Sequence, residues 1–374
     1  MSDIDGKLMA HAIELARRGD PSPNPHVGSL VSDGEHVISE AFHAAAGEDH
    51  AEVAALKLAG PRAAGSTLYV TLEPCNHEGR TPPCVDAIIA AGVRRVVVAT
   101  RDPNPRVQGG GLERLRAAGI EVIEGVLEPQ ARELLKPWTK FITHNTSYLT
   151  LKLALSLDGR IATRSGASKW ITCPESRLRV QGLRAQHDAV LVGINTIFAD
   201  DPRLTVRDVP GRSPARVIVD SKLRLSLGSQ VVQTSAQVPT CVVTTFQASR
   251  AAEEALEAAG VRVIRVPATA EGRCDTIAVL HELAAREVVS VLCEGGAELA
   301  GSLMAHGLVD ELHVFMAPRL LGPRGRPGAV DWAGPENPAD APHIDPPRWE
   351  LCGTDAYVWG PLLYPQTFGR IGGP

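Results

Sequence analysis

Short apolar runs alternate with helix-patterned stretches along most of this chain. In the first part, "STLYVTLEP" (66–74), "RRVVVAT" (94–100) and "IEVIEGV" (120–126) read as strands. They are separated by the helix patterns "PCVDAIIAAG" and "GGLERLRAAG". Ahead of them, residues 7–18 read as a helix, and "VGSLVSDGEHVISEAFH" as a hairpin turning at Asp33-Gly34. "HAEVAALKLAG" reads as a helix ended by Gly60. Successive β-α units of this length predict a mixed sheet with helices on both faces, an α/β fold. A second α/β series starts at "SYLTLKLALSLDGRIA" and runs through "AVLVG", "ARVIVD", "TCVVTT", "VRVIRV", "VVSVLCEGG" and "ELHVFMAPRLLG". Two complete series in 374 residues predict two domains, 1–145 and 146–374, with the polar segment "TKFITHNT" (139–146) as the break between them. Residues 322–348, rich in Pro and Gly, read as a long surface loop with no functional pattern.

Composition removes several classes of function. The net charge of −5 gives no basic footprint, which argues against a nucleic-acid partner. No apolar run approaches ~20 residues, so no membrane span is expected. The N-terminus is an amphipathic helix pattern without a signal-peptide core. Seven scattered cysteines, an odd number, predict a reducing cytoplasm, where a close Cys pair is more often metal-binding or catalytic than bridged.

The chemistry of the first half centres on "HAE" (50–52) and "PCNHEGRTPPC" (74–84). His50 lies at a helix start, Cys75 at a strand end and Cys84 at another helix start, and these ends gather on one rim of an α/β sheet. Two thiolates and an imidazole suit zinc, with a fourth position left for water. Glu52 is spaced to reach that water rather than the metal, the pattern of hydrolytic deamination. The eight-residue spacer between Cys75 and Cys84 departs from the short C-x-x-C of that signature. Buried structural thiols, a disulfide and a closed zinc site remain as plainer alternatives. His77, two residues from Cys75 on the intervening loop, is the nearby candidate for a fourth ligand but is better placed to face a substrate. Asn24, in "SPNPHVG", is a candidate to bind a heterocycle's polar edge or is simply part of a Pro-fixed turn.

The second half offers weaker signals. Gly295-Gly296 between a strand and a helix lets backbone N–H groups approach a pyrophosphate, although such turns are common. "VIVDSKLR" ends a strand with Asp220, Ser221 and the basic Lys222 and Arg224; a basic or hydroxyl group there can receive a cofactor 2′-phosphate and favour NADPH, or the segment is a plain solvated turn. Lys152, Ser168 and Trp170 fall at loop ends, and Thr196, Asp200 and Arg207 fall together in "GINTIFADDPRLTVR". Arg184 and Arg207 are candidate phosphate clamps, although most arginines are plain surface charges.

Taken in order, "NPHVG", "HAEVAAL", "TLEPCNHEGRTPPC" and "RDPNP", then "KLALSLDGRIAT", "SKWIT", "TIFADDPRLTVR", "CEGGAELAGSL" and "VDELHVFMAPRLLG", resemble the bifunctional riboflavin-biosynthesis deaminase/reductase family. The resemblance implies a cytidine-deaminase-like three-layer domain followed by a dihydrofolate-reductase-like α/β domain. It implies one zinc ion per chain on His50, Cys75 and Cys84, Glu52 as proton shuttle, and substrate contacts from Asn24 and His77. It further implies NADPH contacts from Ala154, Trp170, Thr196, Asp200, Ser221, Gly295, Gly296 and Gly301. Substrate contacts would come from Lys152, Ser168, Arg184, Leu204, Arg207 and Glu294, with Asp200 and Lys152 nearest the reduction. Ala54 and Glu78 depart from residues common in the family. The expected partner is a pyrimidine ribose phosphate, and the expected assembly a homo-oligomer. Three rivals stand beside this reading: a paralogue acting on a related pyrimidine, a nucleic-acid deaminase, and a non-catalytic zinc-stabilised interaction protein.

Overall fold

The structure, a computed structural model, describes residues 3–78, 82–105, 110–322, 328–366 and 368. The chain forms two compact units, Met1–Asn145 and Thr146–Pro374.

In the first unit, helix α1 (Asp3–Ala16) leads into strands β1 (Gly28–Ser32) and β2 (Val37–Phe42). Then follow α2 (Ala51–Ala59), β3 (Thr67–Leu72), α3 (Cys84–Ala90), β4 (Arg95–Thr100), α4 (Gly111–Ala117), β5 (Glu121–Glu124) and α5 (Glu128–His144). The sheet runs β2-β1-β3-β4-β5, antiparallel through the hairpin and parallel from β3 to β5. Side chains alternate across it. Leu30, Tyr69, Val97 and Ala99 pack with Met9 and Ile13 of α1 and Ala131 of α5. Helix α2 packs on the other face, against β1 and β2, and touches α3. Helix α2 ends at Gly60, whose φ of 57° suits a residue without Cβ.

The division between the units falls at Asn145–Thr146, inside the predicted junction 139–146, but that segment is not an irregular polar break. Most of it is the end of α5, and the chain leaves the helix only at Asn145, at φ 51°. Pro129 and Pro137 disguise this helix in the sequence. Pro129 sits in the first turn, where no N–H is needed, and burial of Ala131, Leu135 and Trp138 along one stripe outweighs the donor lost at Pro137.

The second unit continues with β6 (Tyr148–Ser156), α6 (Pro174–Ala185), β7 (Ala189–Gly193), α7 (Ile194–Asp200), β8 (Ala215–Val219) and α8 (Gln230–Gln233). After them come β9 (Thr240–Thr245), α9 (Arg250–Ala258), β10 (Arg262–Val266), α10 (Thr276–Ala284), β11 (Ser290–Cys293), α11 (Ala297–Ala305) and β12 (Glu311–Ala317). The chain closes with β13 (His343–Ile344), β14 (Arg348–Cys352) and β15 (Asp355–Leu363). The sheet order is β10-β9-β8-β7-β11-β6-β12-β15-β13, with β14 on β15; β10 to β12 are parallel and β15 is antiparallel. Leu149, Leu151, Leu153 and Leu155 of β6 face α10 and α11, while Val190, Val192, Ile218 and Val242 face the opposite way.

The stretch 322–348 is more than a surface loop. Ala329, Val330 and Trp332 pack on the core, and Asp331 donates its N–H to the Ala297 carbonyl at 3.0 Å. Residues 323–327 of this stretch, and Thr81 with the loop positions 79–80 of the first unit, lie outside the described residues.

Candidate active sites

In the first unit, β3 ends just before Cys75, α2 starts just after His50, and α3 starts at Cys84. His50 Nδ1 and the two Sγ atoms all lie within 4.8 Å of one another. His50 Nδ1 is 3.1 Å from Cys84 Sγ and 3.6 Å from Cys75 Sγ, and the Cys84 N–H donates to Cys75 Sγ at 3.3 Å. A hydrogen bond from the Cys84 thiol holds the Cys75 thiol down at about 4, while the same bond and burial push Cys84 up. The imidazole nitrogen and the two sulfurs thus converge on one point, as the ligands of a single cation do. A compact N, S, S donor set with an acid beside it fits zinc with a position left open. That acid is Glu52, which is buried, lies next to Cys84, and is pushed up to about 7 by burial.

Sequence reasoning missed His43. It is buried just after β2, its ring edge-on to His50 at 5.2 Å. His43 Nδ1 faces the Asp49 carbonyl at 3.1 Å and must donate to it. Nε2 is therefore the acceptor for Asn24 Nδ2 at 3.0 Å, which leaves Asn24 Oδ1 to accept from a ligand. A histidine just after a strand and shortly before His-x-Glu was the only available signal. His77 is exposed on the loop after Cys75.

In the second unit one cleft opens at the C-terminal ends of β7, β8 and β11. It is lined by Lys152, Ala154, Ser168, Trp170, Arg184, Thr196 and Asp200, and further round by Leu204, Arg207, Ser221, Glu294, Gly295 and Gly296. At its floor, Arg184 Nε and Nη2 donate to Glu294 Oε1 and Oε2 at 2.5 and 3.0 Å, and Lys152 Nζ lies 3.7 Å from Oε2. Burial alone would push Glu294 up, but Arg184 and Lys152 reverse this and hold it down at about 2. Burial pushes Lys152 down, opposed by Glu294.

Arg184 is thus less free than a phosphate clamp, since its Nη1 also donates to the Thr205 carbonyl at 3.0 Å. Arg207 is exposed, and its guanidinium has no carboxylate partner among the described residues. Asp200 Oδ1 accepts from Ser168 Oγ at 3.3 Å and lies 3.5 Å from Lys169 Nζ, a partner the sequence did not suggest. Arg177 lies over the exposed Trp170 ring at 4.6 Å. Gly301 does not line the cleft. It lies inside α11, where a Cβ would stand 1.9 Å from the Asp331 carbonyl oxygen, so its glycine serves packing. Gly295 and Gly296 stay at the mouth of α11, and a Cβ on Gly295 would meet Leu299 at 2.8 Å. This bare backbone suits a pyrophosphate.

Two family models match the chain. Residues 2–100 match the cytidine and deoxycytidylate deaminase zinc-binding region, and residues 147–358 match the RibD C-terminal domain. The riboflavin biosynthesis protein RibD of Aquifex aeolicus is 45% identical over 323 residues, 86% of this chain and 88% of that protein. The RibD of Escherichia coli is 44% identical over 356 residues, 91% of this chain and 94% of its own. Among solved structures, Acinetobacter baumannii RibD superposes with a TM-score of 0.85 at 38% identity, over 97% of this chain and 99% of that one. No helix among the described residues is long and apolar enough to cross a membrane. With both halves matched in order and relatives this similar over nearly their whole length, the chain belongs to the bifunctional RibD deaminase/reductase family of riboflavin biosynthesis.

Proposed function

We propose that residues 1–145 carry the zinc-dependent deamination of 2,5-diamino-6-ribosylamino-4(3H)-pyrimidinone 5′-phosphate, and residues 146–374 the NADPH-dependent reduction of its ribosyl group to ribityl. The observation that carries the first half is the convergence of His50, Cys75 and Cys84 beside buried Glu52. These three side chains would hold the zinc. When bound, zinc supplies the Lewis acidity that makes water nucleophilic near neutral pH. Glu52 takes a proton from the water that attacks C2 and passes it to the amino group, which leaves as ammonia. Asn24, oriented by His43, holds the ring's polar edge.

In the second half, NADPH would supply a hydride to the imine carbon that the ribosyl group presents once its ring opens, and the imine nitrogen takes a proton from solvent to leave the ribityl amine. Lys152, held beside Glu294, polarises the reacting end, helped by Asp200. Ser168 and Arg207 hold the substrate phosphate, and Arg184 fixes Glu294 and the 204–207 segment around it. Gly295 and Gly296 admit the cofactor pyrophosphate.

Seven free cysteines support a reducing, cytoplasmic setting. Exposed Trp349 and Leu351 share one face of edge strand β14, which supports a homo-oligomer. A net charge of −5 supports a small-molecule substrate over a nucleic acid.

Product mass tests the reading. The amine-to-carbonyl exchange adds about one mass unit without NADPH, and about two more follow with it. Cys75→Ala should lose both zinc and ammonia release while still reducing deaminated substrate. Normal ammonia release from that variant would reject the metal assignment.

A further inference from the structure

The reductase cleft has one end whose groups the reaction does not use, where β8 stops opposite the start of α11. In dinucleotide sites, an acid at such a strand end holds the 2′-hydroxyl of NAD, and a cation there receives the 2′-phosphate of NADP. Here the acid is Asp220, and it is fully buried and turned inward. Its Oδ2 accepts the N–H groups of Arg224 and Leu225 at 2.5 and 2.9 Å, and Oδ1 accepts that of Lys222 at 3.4 Å. It is not available to a ribose.

Ser221 is committed as well. Its Oγ accepts the Cys274 N–H at 2.9 Å and so ties β8 to the turn 268–274. That turn is closed by Thr269 N–H to the Arg273 carbonyl at 2.7 Å and presents the Arg273 side chain to the cleft. Arg273 Nη1 reaches Glu298 Oε2, in the first turn of α11, at 2.9 Å, and both side chains are more than half exposed. Lys222 is exposed, lines the same cleft, and has no carboxylate partner among the described residues. Arg224 is already occupied, against Asp220 at 3.5 Å and over Phe198 at 5.2 Å.

We infer that Lys222 and Arg273 recognise the 2′-phosphate of NADPH, and that Glu298 is the anion this phosphate displaces from Arg273. The inference rests on reading the second unit as an NADPH reductase. The committed acid removes the group that would favour NADH, and two cations stand in its place. An exposed ion pair such as Arg273–Glu298 is weak, so a dianionic phosphate replaces the carboxylate readily. Glu298 then repels the cofactor mildly and sets an upper limit on its affinity.

The test uses the full chain and two probes, 2′,5′-ADP and 5′-AMP, with dissociation constants from calorimetry and kcat/KM for NADPH and NADH measured alongside. Lys222→Ala and Arg273→Ala should each weaken 2′,5′-ADP about tenfold, the loss of one exposed charge-assisted contact, with 5′-AMP changed far less. The NADPH/NADH ratio should fall in step. Glu298→Gln should tighten 2′,5′-ADP. If the wild type prefers 2′,5′-ADP and both alanine variants keep that preference, the inference is overturned while the reductase reading stands. Equal weakening of both probes, or weaker 2′,5′-ADP binding in Glu298→Gln, overturns it too. A wild type that neither binds 2′,5′-ADP nor oxidises NADPH removes the reductase reading, and the inference with it.

Discussion

Glu294→Gln keeps the shape of a side chain and removes one charge from the floor of the reductase cleft. The wild-type carboxylate is buried, doubly bonded to Arg184 and 3.7 Å from Lys152 Nζ. At that separation two unit charges attract by about 4 kcal/mol for an effective dielectric constant near 20. Leaving buried cations without their counter-charge costs about 3–5 kcal/mol. The loss should depend on pH in a definite way. Glu294 is held down at about 2, against roughly 4.3 in an unfolded chain. Its contribution, about 3 kcal/mol, is full above the unfolded value and is lost as pH falls through about 2. The gap between wild type and variant should therefore close in acid. On the alkaline side, Lys152 is already pushed down by burial, and losing Glu294 pushes it further. As pH rises through that lowered value the variant's Lys152 gives up its proton, the penalty shrinks, and the gap narrows again. Urea unfolding of the full chain at acid, neutral and alkaline pH, read by fluorescence and by loss of NADPH oxidation, measures this. A gap below about 1 kcal/mol at neutral pH, or one that stays constant with pH, would refute the reasoning.

Changes at one further site in each unit probe the same reasoning. Glu52→Gln should lower ammonia release by about 10²–10⁴-fold while the protein keeps its zinc by metal analysis; a loss under about tenfold would reject proton relay through this residue. Arg216→Met should destabilise by at least about 3 kcal/mol in thermal unfolding, because it strips donors from several buried acceptors. The guanidinium is fully buried and bonds Thr234 and Thr240 hydroxyls and the carbonyls of Arg203, Val231 and Val238. Arg216→Lys should also destabilise, since one ammonium cannot span that fan of acceptors; an unchanged melting point would contradict the hydrogen-bond account.

The metal trio was legible because each member sits at an element end that local pattern marks. A strand running into Pro-Cys, and helices starting at His-Ala-Glu and Pro-Pro-Cys, are short-range signals, and the topology of α/β sheets brings such ends together. The long spacer did not obstruct this, because Cys84 is returned by a helix rather than by the loop itself. The same holds for Gly295-Gly296, where a strand–glycine–helix pattern marks the turn without reference to distant residues. Gly301 shows the limit of that signal. A glycine further along the helix looks alike in sequence, and only the distant Asp331 carbonyl explains it.

What remained hidden depends on partners far apart in the chain. Glu294 meets Arg184 across 110 positions, and nothing local distinguishes it from an acid at a solvated turn. Arg216 reads as a charged residue at the start of the apolar run "ARVIVD", yet it is fully buried, because the carbonyls of Arg203, Val231 and Val238 take its donors. Burial of a charge requires that every donor find an acceptor, and that condition is met by the assembled fold alone. The reductase cleft follows the same rule: Asp220 and Ser221 look like ligands by position and are spent inward, while Arg273, within an unremarkable "EGRCD" turn, is presented to the cleft. Position along the chain therefore names the rim of this site, and the hydrogen-bond inventory decides which rim residues are left to bind.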